Sequence, residues 1–196
     1  GLKGGRLMDI TLQNVSKSFG DKQVLQGFSH TFPKGELTCV MGPSGCGKTT
    51  LLSLLLGLEA PDSGEILGME GQKLSAVFQE DRLCENTTPV SNIRLVNPSL
   101  SKEEAQGMLR DLGLEGSLGQ PVRTLSGGMK RRVAILRALA ADYDVLLCDE
   151  PFKGLDQATK ALVMDYFLGK TKGKTVILVT HDQGETEALG GHFLLL

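Results

Sequence analysis

The chain has 196 residues and a formal net charge of −2, with 40% hydrophobic and 22% charged residues. This length fits one domain, or one domain with a small inserted lobe, and the composition predicts a soluble protein with a packed core. The charge argues against electrostatic nucleic-acid binding, and no apolar run reaches the roughly 20 residues of a transmembrane helix. No signal peptide is visible, so we expect a cytosolic protein whose membrane part, if one is needed, belongs to a partner.

The N-terminal third of the sequence predicts strands. Residues 9–15 alternate between polar and apolar, as in a half-buried strand, and residues 24–32 form a second such run. The apolar run at 37–41 predicts a short buried strand, and Pro-Asp-Ser-Gly at 61–64 predicts a turn. Residues 66–73 are expected to form a trimmed sheet edge.

A glycine-rich loop with Walker A spacing, G-x-x-x-x-G-K-T, separates the third strand from a helical pattern over 48–56. The loop and the start of the helix consist of Gly42, Pro43, Ser44, Gly45, Cys46, Gly47, Lys48, Thr49 and Thr50. Glycines let the backbone N–H groups surround an anion, and the helix directs its positive end toward it. Lys48 is predicted to reach the β- and γ-phosphates and Thr49 to offer its hydroxyl to Mg²⁺. The alternative, a glycine-rich surface turn, is disfavoured by the strand–loop–helix context.

Helical signals replace strand signals after a short predicted strand over 74–78, from about Glu80 onward. Ser101 and Glu104 have capping-box spacing, which predicts that a helix begins there. Gly113 is predicted to end this helix. The apolar residues of the helix share one face: Ala105, Met108, Leu109 and Leu112.

The segment Leu-Ser-Gly-Gly-Met at 125–129 is the most discriminating motif. Ser126 is predicted to cap a helix, and Gly127 and Gly128 permit an anion to approach the backbone closely. One chain has little use for two phosphate cradles, so we interpret this segment as closing over the nucleotide of another subunit. The alternative is an ordinary capped amphipathic helix whose solvated face carries the basic residues at 130–132.

Strand and helix signals alternate again from residue 145. The apolar run at 145–148 ends in Asp149 and Glu150, which is the Walker B pattern. Ligands bind at the C-terminal ends of parallel strands. Asp149 is therefore predicted to hold Mg²⁺, and Glu150 to orient or deprotonate the attacking water. The alternative is a strand end with two solvated acids. Further predicted elements are a helix at 157–168, a strand at 175–179, a helix at 183–189 and a strand at 192–196.

With these motifs in this order, the chain resembles the nucleotide-binding subunit of an ATP-binding cassette (ABC) transporter from about residue 8 to residue 196. The resemblance implies that Phe19 stacks on adenine and that Gln79 is a catalytic residue that senses Mg²⁺ and water. It also implies that Asp156 lies in the nucleotide-binding D-loop and that His181 is a catalytic residue on the γ-phosphate. Taken singly, a phenylalanine at such a position usually lies in the core, a glutamine usually lies on the surface, and a histidine usually has a structural role. Met129 and Asp-Glu-Pro-Phe at 149–152 resemble bacterial importers of the nitrate, sulfonate, taurine and thiamine-precursor group.

The resemblance implies an α/β fold, a P-loop NTPase with a RecA-like core and an inserted helical subdomain. The expected single ABC ATPase domain spans 8–196, with the core at 8–79 and 141–196 and the helical subdomain at 80–140. It implies ATP and Mg²⁺ as cofactors and a homodimer that sandwiches ATP. Permease subunits would hold the dimer on the inner face of the cell membrane, and an extracytoplasmic substrate-binding protein would act indirectly. No nucleic-acid partner is expected.

Two other classes of protein share a phosphate-binding loop. A non-transport ABC ATPase that acts on DNA or in translation would carry long coiled-coil insertions or tandem cassettes, for which this chain has no room. A small-molecule kinase or a GTPase switch would not explain the segment at 125–129 or His181. An importer ATPase is therefore the favoured interpretation.

Overall fold

The structure, a computed structural model, describes residues 7–43 and 47–196. The described residues form eight strands and six α-helices. The strands are β1 (Ile10–Phe19), β2 (Lys22–Phe32), β3 (Leu37–Met41), β4 (Ser63–Leu67), β5 (Leu74–Val77), β6 (Val145–Asp149), β7 (Thr175–Val179) and β8 (His192–Leu195). The helices are α1 (Lys48–Leu55), α2 (Pro89–Val96), α3 (Lys102–Asp111), α4 (Gly127–Ala140), α5 (Gln157–Lys170) and α6 (Gln183–Leu189).

The chain divides into two compact units. The first comprises residues up to 74 together with 143–149 and 172–196, and the second comprises 75–142 and 150–171. The first unit holds most of the strands and the second most of the helices. This mixture of strands and helices confirms the α/β class.

The first unit contains two sheets. Its parallel strands lie in the order β6, β7, β3, β8, and its antiparallel strands in the order β2, β1, β4. In β6 the residues from Val145 to Cys148 are at most 1% exposed. The continuous apolar run of the sequence is therefore buried as expected for a parallel strand covered on both faces.

The antiparallel sheet differs from the prediction in two places. β1 continues to Phe19, beyond residue 15, because its pairing with β2 persists through three register shifts between Leu12 and Ser18 and ends at the Phe19–Lys22 pair. Residues 63–67, predicted in part as a turn, form β4, in which Leu67 pairs with Thr11. A Cβ on Gly64 would lie 2.3 Å from the carbonyl oxygen of Asn14, so the close approach requires glycine there.

The core of the first unit lies between the sheets and α1. Four leucines of α1 are at most 4% exposed, and they belong to one cluster with the apolar residues of β1, β6 and β7. Burial of such side chains contributes about 1.5–3 kcal/mol each. Because a helix as short as α1 is only marginally stable by itself, packing of its apolar face against the sheet stabilises it. Cys39 and Cys148 are fully buried core residues of this unit.

The second unit is organised around helices whose starts are marked by side-chain caps. Ser101 Oγ accepts a hydrogen bond from the Glu104 N–H at 3.0 Å, and the Glu104 carboxylate accepts one from the Ser101 N–H. This confirms the predicted capping box. Gly113, with φ at +77°, follows the end of α3, as predicted.

The helix α2 carries no strong signal in the sequence, and its position depends on Asn92. This buried side chain donates to the carbonyl oxygens of Cys84 and Thr88 at 3.1 and 3.0 Å and accepts from the Cys84 N–H at 2.8 Å. One amide thus satisfies the backbone of the preceding loop, which stabilises that loop against α2. Throughout the part of the chain that the structure describes, every helix is too short or too polar to cross a membrane.

Candidate functional site

The phosphate-binding loop lies between β3 and α1 in the first unit. Gly47 forms the N-cap of α1 with φ at +105°, and a Cβ there would lie 3.1 Å from side-chain atoms of Val24 and Leu25. Both the backbone angle and the space therefore require glycine. Gly42 and Pro43 precede this point, whereas the predicted site residues Ser44, Gly45 and Cys46 lie outside the described residues.

Lys48 bridges the two ends of this loop. Its ammonium group donates a hydrogen bond to the carbonyl oxygen of Gly42, which places a positive charge across the loop. Gly47, the N-cap of α1, has no side chain and so gives no side-chain cap to the first turn, from Lys48 to Thr50. A cation and the positive end of the helix dipole suit a bound anion, so these residues fit the phosphates of a nucleotide.

The register of the parallel sheet aligns three site segments along one edge. Val40 pairs with Val179, and Val179 pairs with Asp149. Neighbouring strands lie about 4.8 Å apart, so these three positions span about 10 Å. The chain then continues into the phosphate-binding loop after β3 and into Thr180 and His181 after β7.

His181 follows a firmly held residue. Thr180 is fully buried, its N–H donates to the carbonyl oxygen of Val40 at 3.1 Å, and its hydroxyl accepts from the Asp182 N–H at 3.1 Å. His181 itself is exposed. The first unit thus brings together Lys48, Asp149 and His181 at the carboxyl ends of its strands, the usual ligand-binding edge of a parallel sheet.

Two of the three predicted magnesium ligands lie in the first unit. Thr49 is exposed at the start of α1, and Asp149 is partly exposed at the end of β6. Among the described residues, no group of three or more His, Cys, Asp or Glu side chains could hold a metal. Mg²⁺ commonly binds through one or two protein oxygens together with substrate phosphates. The oxygens of Thr49 and Asp149 fit this mode of binding.

Phe19 is the last residue of β1 and is 47% exposed. The ammonium group of Lys17 lies 5.4 Å from the centre of its ring. The structure therefore does not support the usual structural alternative, a core phenylalanine. An exposed ring at a strand end is available to stack on a planar base.

The segment that the sequence predicts to contact the nucleotide of another subunit lies in the second unit. Ser126 caps α4, its hydroxyl accepting from the Met129 N–H at 3.2 Å. A Cβ on Gly127 would meet no atom within 4 Å, so the backbone there is open to an approaching group. A Cβ on Gly128 would lie 3.9 Å from the Gly154 carbonyl oxygen, which places the segment at 125–129 beside the loop that leads to Asp156.

Asp156 caps α5 and accepts from both the backbone N–H and the hydroxyl of Thr159, at 2.8 and 3.0 Å. These bonds, with a smaller contribution from the Arg132 guanidinium, hold the pKa of this carboxyl below its usual range. Asp156 therefore has a structural task as a helix cap in addition to any role toward a nucleotide.

Glu150 has an uncommon backbone conformation. Its φ is +50°, in the left-handed region that non-glycine residues rarely adopt, and the residue is only 7% exposed. Such strain costs on the order of 1–3 kcal/mol and is concentrated at functional sites. The alternative of a solvated acid does not describe Glu150.

One functional candidate was missed by the sequence prediction. The amphipathic alternative places Arg131 on the solvated face of α4, but the residue is 7% exposed and contacts the backbone at Phe78 and Gln79. Its spacing could have revealed this, because Arg131 lies on the same helix face as the buried Ile135 and Ala138. Gln79 itself is exposed.

Comparison with known proteins agrees with these motifs. A family model described as ABC transporter matches residues 25–153, which is more than half of the chain. The chain is 39% identical to an aliphatic sulfonates import ATP-binding protein of Nocardia farcinica over 191 residues, covering 95% of this chain and 77% of that protein. It is 38% identical to proteins of the same description from Agrobacterium fabrum and Rhodococcus jostii, covering 95% and 98% of this chain and 70% and 72% of theirs.

The chain belongs to the ABC transporter family. It is an ATPase of that family with the P-loop NTPase fold, and ATP is its nucleotide.

Proposed function

We propose that the chain is the ATP-hydrolysing subunit of a bacterial importer and that it works as a homodimer beneath permease subunits. The observation that carries this proposal is the alignment of Lys48, Asp149 and His181 at one sheet edge, combined with the open Ser126–Gly128 backbone on the second unit. The import role is supported by relatives named for the import of aliphatic sulfonates.

The proposed domain spans 8–196, with the nucleotide-binding core at 8–79 and 141–196 and the helical subdomain at 80–140. Within the core, Lys48 and the N–H groups of the loop bind the phosphates of ATP, and Phe19 stacks on the base. Thr49, Asp149 and Gln79 bind Mg²⁺, which, when present, neutralises part of the phosphate charge.

Glu150 and His181 act on the reaction itself. Glu150 orients the attacking water and accepts its proton, for which a buried carboxylate held in one conformation is suited. His181, at the end of a strand anchored through Thr180, contacts the γ-phosphate. Both residues require the phosphates to be positioned by Lys48 first.

Ser126, Gly127 and Gly128 bind the phosphates of the ATP held by the partner subunit, and Asp156 lies in the loop beside them. Two nucleotides are therefore enclosed when the dimer closes. The membrane subunits respond to this closure, and an extracytoplasmic protein delivers the substrate. The ATPase subunit lies on the cytoplasmic face of the membrane and does not contact the substrate.

Replacement of Glu150 by Gln tests the catalytic assignment. The amide has the size of the carboxylate but cannot accept a proton, so turnover of ATP should fall by about 10²–10⁴-fold while ATP affinity stays within about twofold. Steady-state hydrolysis and titration of ATP binding measure the two quantities. The exposed Glu70, changed to Gln, is the matched control and should retain the parent rate. A parent rate for Glu150→Gln would show that another group is the catalytic carboxylate.

A further inference from the structure

Arg131 of α4 directs its guanidinium group at the segment that contains Gln79. One terminal nitrogen donates to the Phe78 carbonyl oxygen at 2.7 Å, and the other donates to the Gln79 carbonyl oxygen. Its Nε lies 3.2 Å from a carboxylate oxygen of Asp81. All three contacts join residues about 50 positions apart in sequence, and they are made by a side chain shielded from solvent.

A second arginine of the same helix holds the remainder of this segment. Arg137 donates to the carbonyl oxygens of Asp81 and Arg82, both at 2.9 Å. Arg82, whose φ is +51°, lies with its guanidinium carbon 3.8 Å from the centre of the Phe78 ring. Because residues 78–82 form neither helix nor strand, α4 supplies the hydrogen-bond partners that secondary structure would otherwise supply.

The helix α4 connects these contacts to the Ser126 segment. Ser126 caps the helix that Arg131 belongs to, and five residues of α-helix rise only about 7.5 Å. A helix is stiff over such a distance, so a displacement of its first turn moves Arg131 as well. The carbonyl groups that Arg131 binds would move with it.

We propose that Arg131 is a positioning residue, which fixes the backbone of Gln79 to α4 so that Gln79 and the Ser126–Gly128 segment move as one body. Closure of that segment on the nucleotide of the partner subunit then changes the position of Gln79 in its own chain. The inference rests on the proposed function in taking Gln79 as a residue that meets Mg²⁺.

The contact depends on the shape of the guanidinium group. Its nitrogens point in fixed directions within one plane: the two terminal nitrogens donate to separate carbonyl oxygens, and Nε forms an ion pair with the Asp81 carboxylate. A lysine ammonium is a single point with three rotatable donors and cannot reach both carbonyl oxygens and the carboxylate together. Arg131→Lys therefore keeps the charge but leaves at least one carbonyl oxygen without its donor.

Hydrogen exchange of the nucleotide-free protein tests the contact directly. In Arg131→Lys, the amides of the peptide covering residues 78–83 should exchange at least about fivefold faster, with unchanged exchange in α3. The matched control is Arg94→Lys, which removes a guanidinium that donates to the Leu100 carbonyl oxygen at 2.9 Å in the same unit. It should leave the 78–83 peptide unchanged. Equal exchange in Arg131→Lys and the parent protein overturns the proposal.

The Mg²⁺ dependence of ATP hydrolysis tests the link to Gln79. Arg131→Lys should raise the Mg²⁺ concentration for half-maximal rate at least about threefold and lower kcat about tenfold, with KM for ATP nearly unchanged. A mere loss of folded protein would lower kcat without shifting the Mg²⁺ dependence. In a Gln79→Ala background, Arg131→Lys should have little further effect, because the two residues act through one group.

The two hypotheses fail in different ways. If Gln79→Ala leaves the Mg²⁺ dependence unchanged, the proposed role of Gln79 is wrong. If Gln79→Ala shifts it but Arg131→Lys does not, only the positioning role of Arg131 is wrong. Should Arg131→Lys fail to fold, Asp81→Asn removes the charged partner and keeps both carbonyl bonds. It should accelerate exchange in the 78–83 peptide at least about twofold, and unchanged exchange there overturns the proposal.

Discussion

At the scale of single residues, the position of the Lys48 side chain explains why this residue of the motif is suited to bind phosphate. Its ammonium group lies across the loop because the side chain begins at the first turn of α1 and reaches back to Gly42. The charge is therefore held within reach of an anion bound by the loop. This arrangement makes the residue a sensitive test of nucleotide binding.

Replacing Lys48 with Ala should weaken ATP binding at least tenfold. A charge-assisted contact contributes about 1.5–3 kcal/mol, and about 1.4 kcal/mol corresponds to a factor of ten in affinity. Isothermal titration with ATP measures the change, and Lys34→Ala, which removes an exposed lysine of the same unit, is the control. Unchanged affinity in Lys48→Ala would contradict the phosphate-binding assignment of the loop.

Glu150 and Arg131 illustrate the opposite case, in which the residue type alone says little. Two acids at a strand end predict a carboxylate site, but the φ of +50° at Glu150 depends on the surrounding fold. A basic run at 130–132 predicts a solvated face, yet Arg131 is buried because residues 78–81 pack against that side of α4. Both properties arise from contacts that are distant in sequence.

At the scale of elements, helix starts follow local rules closely. Ser101, Ser126 and Asp156 each cap a helix by accepting a hydrogen bond from the N–H three residues later. These bonds need only the residues of one turn, so the sequence predicts the caps at Ser101 and Ser126. β4 is different, since Ser63–Leu67 becomes a strand through its pairing with β1.

Ser101→Ala should lower the free energy of unfolding by about 1 kcal/mol, because the first turn of α3 loses the acceptor for the Glu104 N–H. Urea denaturation followed by circular dichroism measures the difference. Ser99→Ala removes an exposed hydroxyl just before the helix, with its solvent-exposed hydrogen bond to Asn97 at 2.6 Å but without the cap, and should change stability by less than about 0.5 kcal/mol. Equal values for the two variants would show that the capping box contributes nothing measurable.

Ser126→Arg should separate binding from hydrolysis. The bulky cation should block the partner's nucleotide, so hydrolysis falls at least about tenfold, whereas ATP binding to the monomer stays within about twofold. Ser126→Ala is the control, since it removes the cap of α4 without adding bulk. A parallel loss of binding and hydrolysis in Ser126→Arg would indicate that this segment contacts ATP of its own subunit.

At the scale of the whole molecule, the two units carry complementary parts of the proposed site. The first carries the phosphate-binding loop and the second carries the open glycine segment, each on its own framework of contacts. A site shared between two subunits requires both parts and therefore predicts association that depends on the nucleotide.

Glu150→Gln should convert from monomer to dimer when ATP is added without Mg²⁺, because unhydrolysed nucleotide stabilises the closed pair by mass action. Size-exclusion chromatography with light scattering, with and without millimolar ATP, measures the mass. Adding Ser126→Arg to this variant should abolish the dimer. A persistent monomer with ATP bound would argue against association through the nucleotide alone.

By itself, the sequence determined the protein class, the phosphate-binding loop and most helices and strands. These features depend on short-range spacing. The G-x-x-x-x-G-K-T motif, the capping pairs and the apolar runs each predict a local structure from residues that lie close together in the sequence. Only the tertiary structure decided that β4 pairs with β1, that three strand ends align through Val40 and Val179, and that Arg131 binds the backbone at Gln79. Those arrangements depend on packing between segments far apart along the chain, where the energy of a contact is set by the partner rather than by the residue's own neighbours.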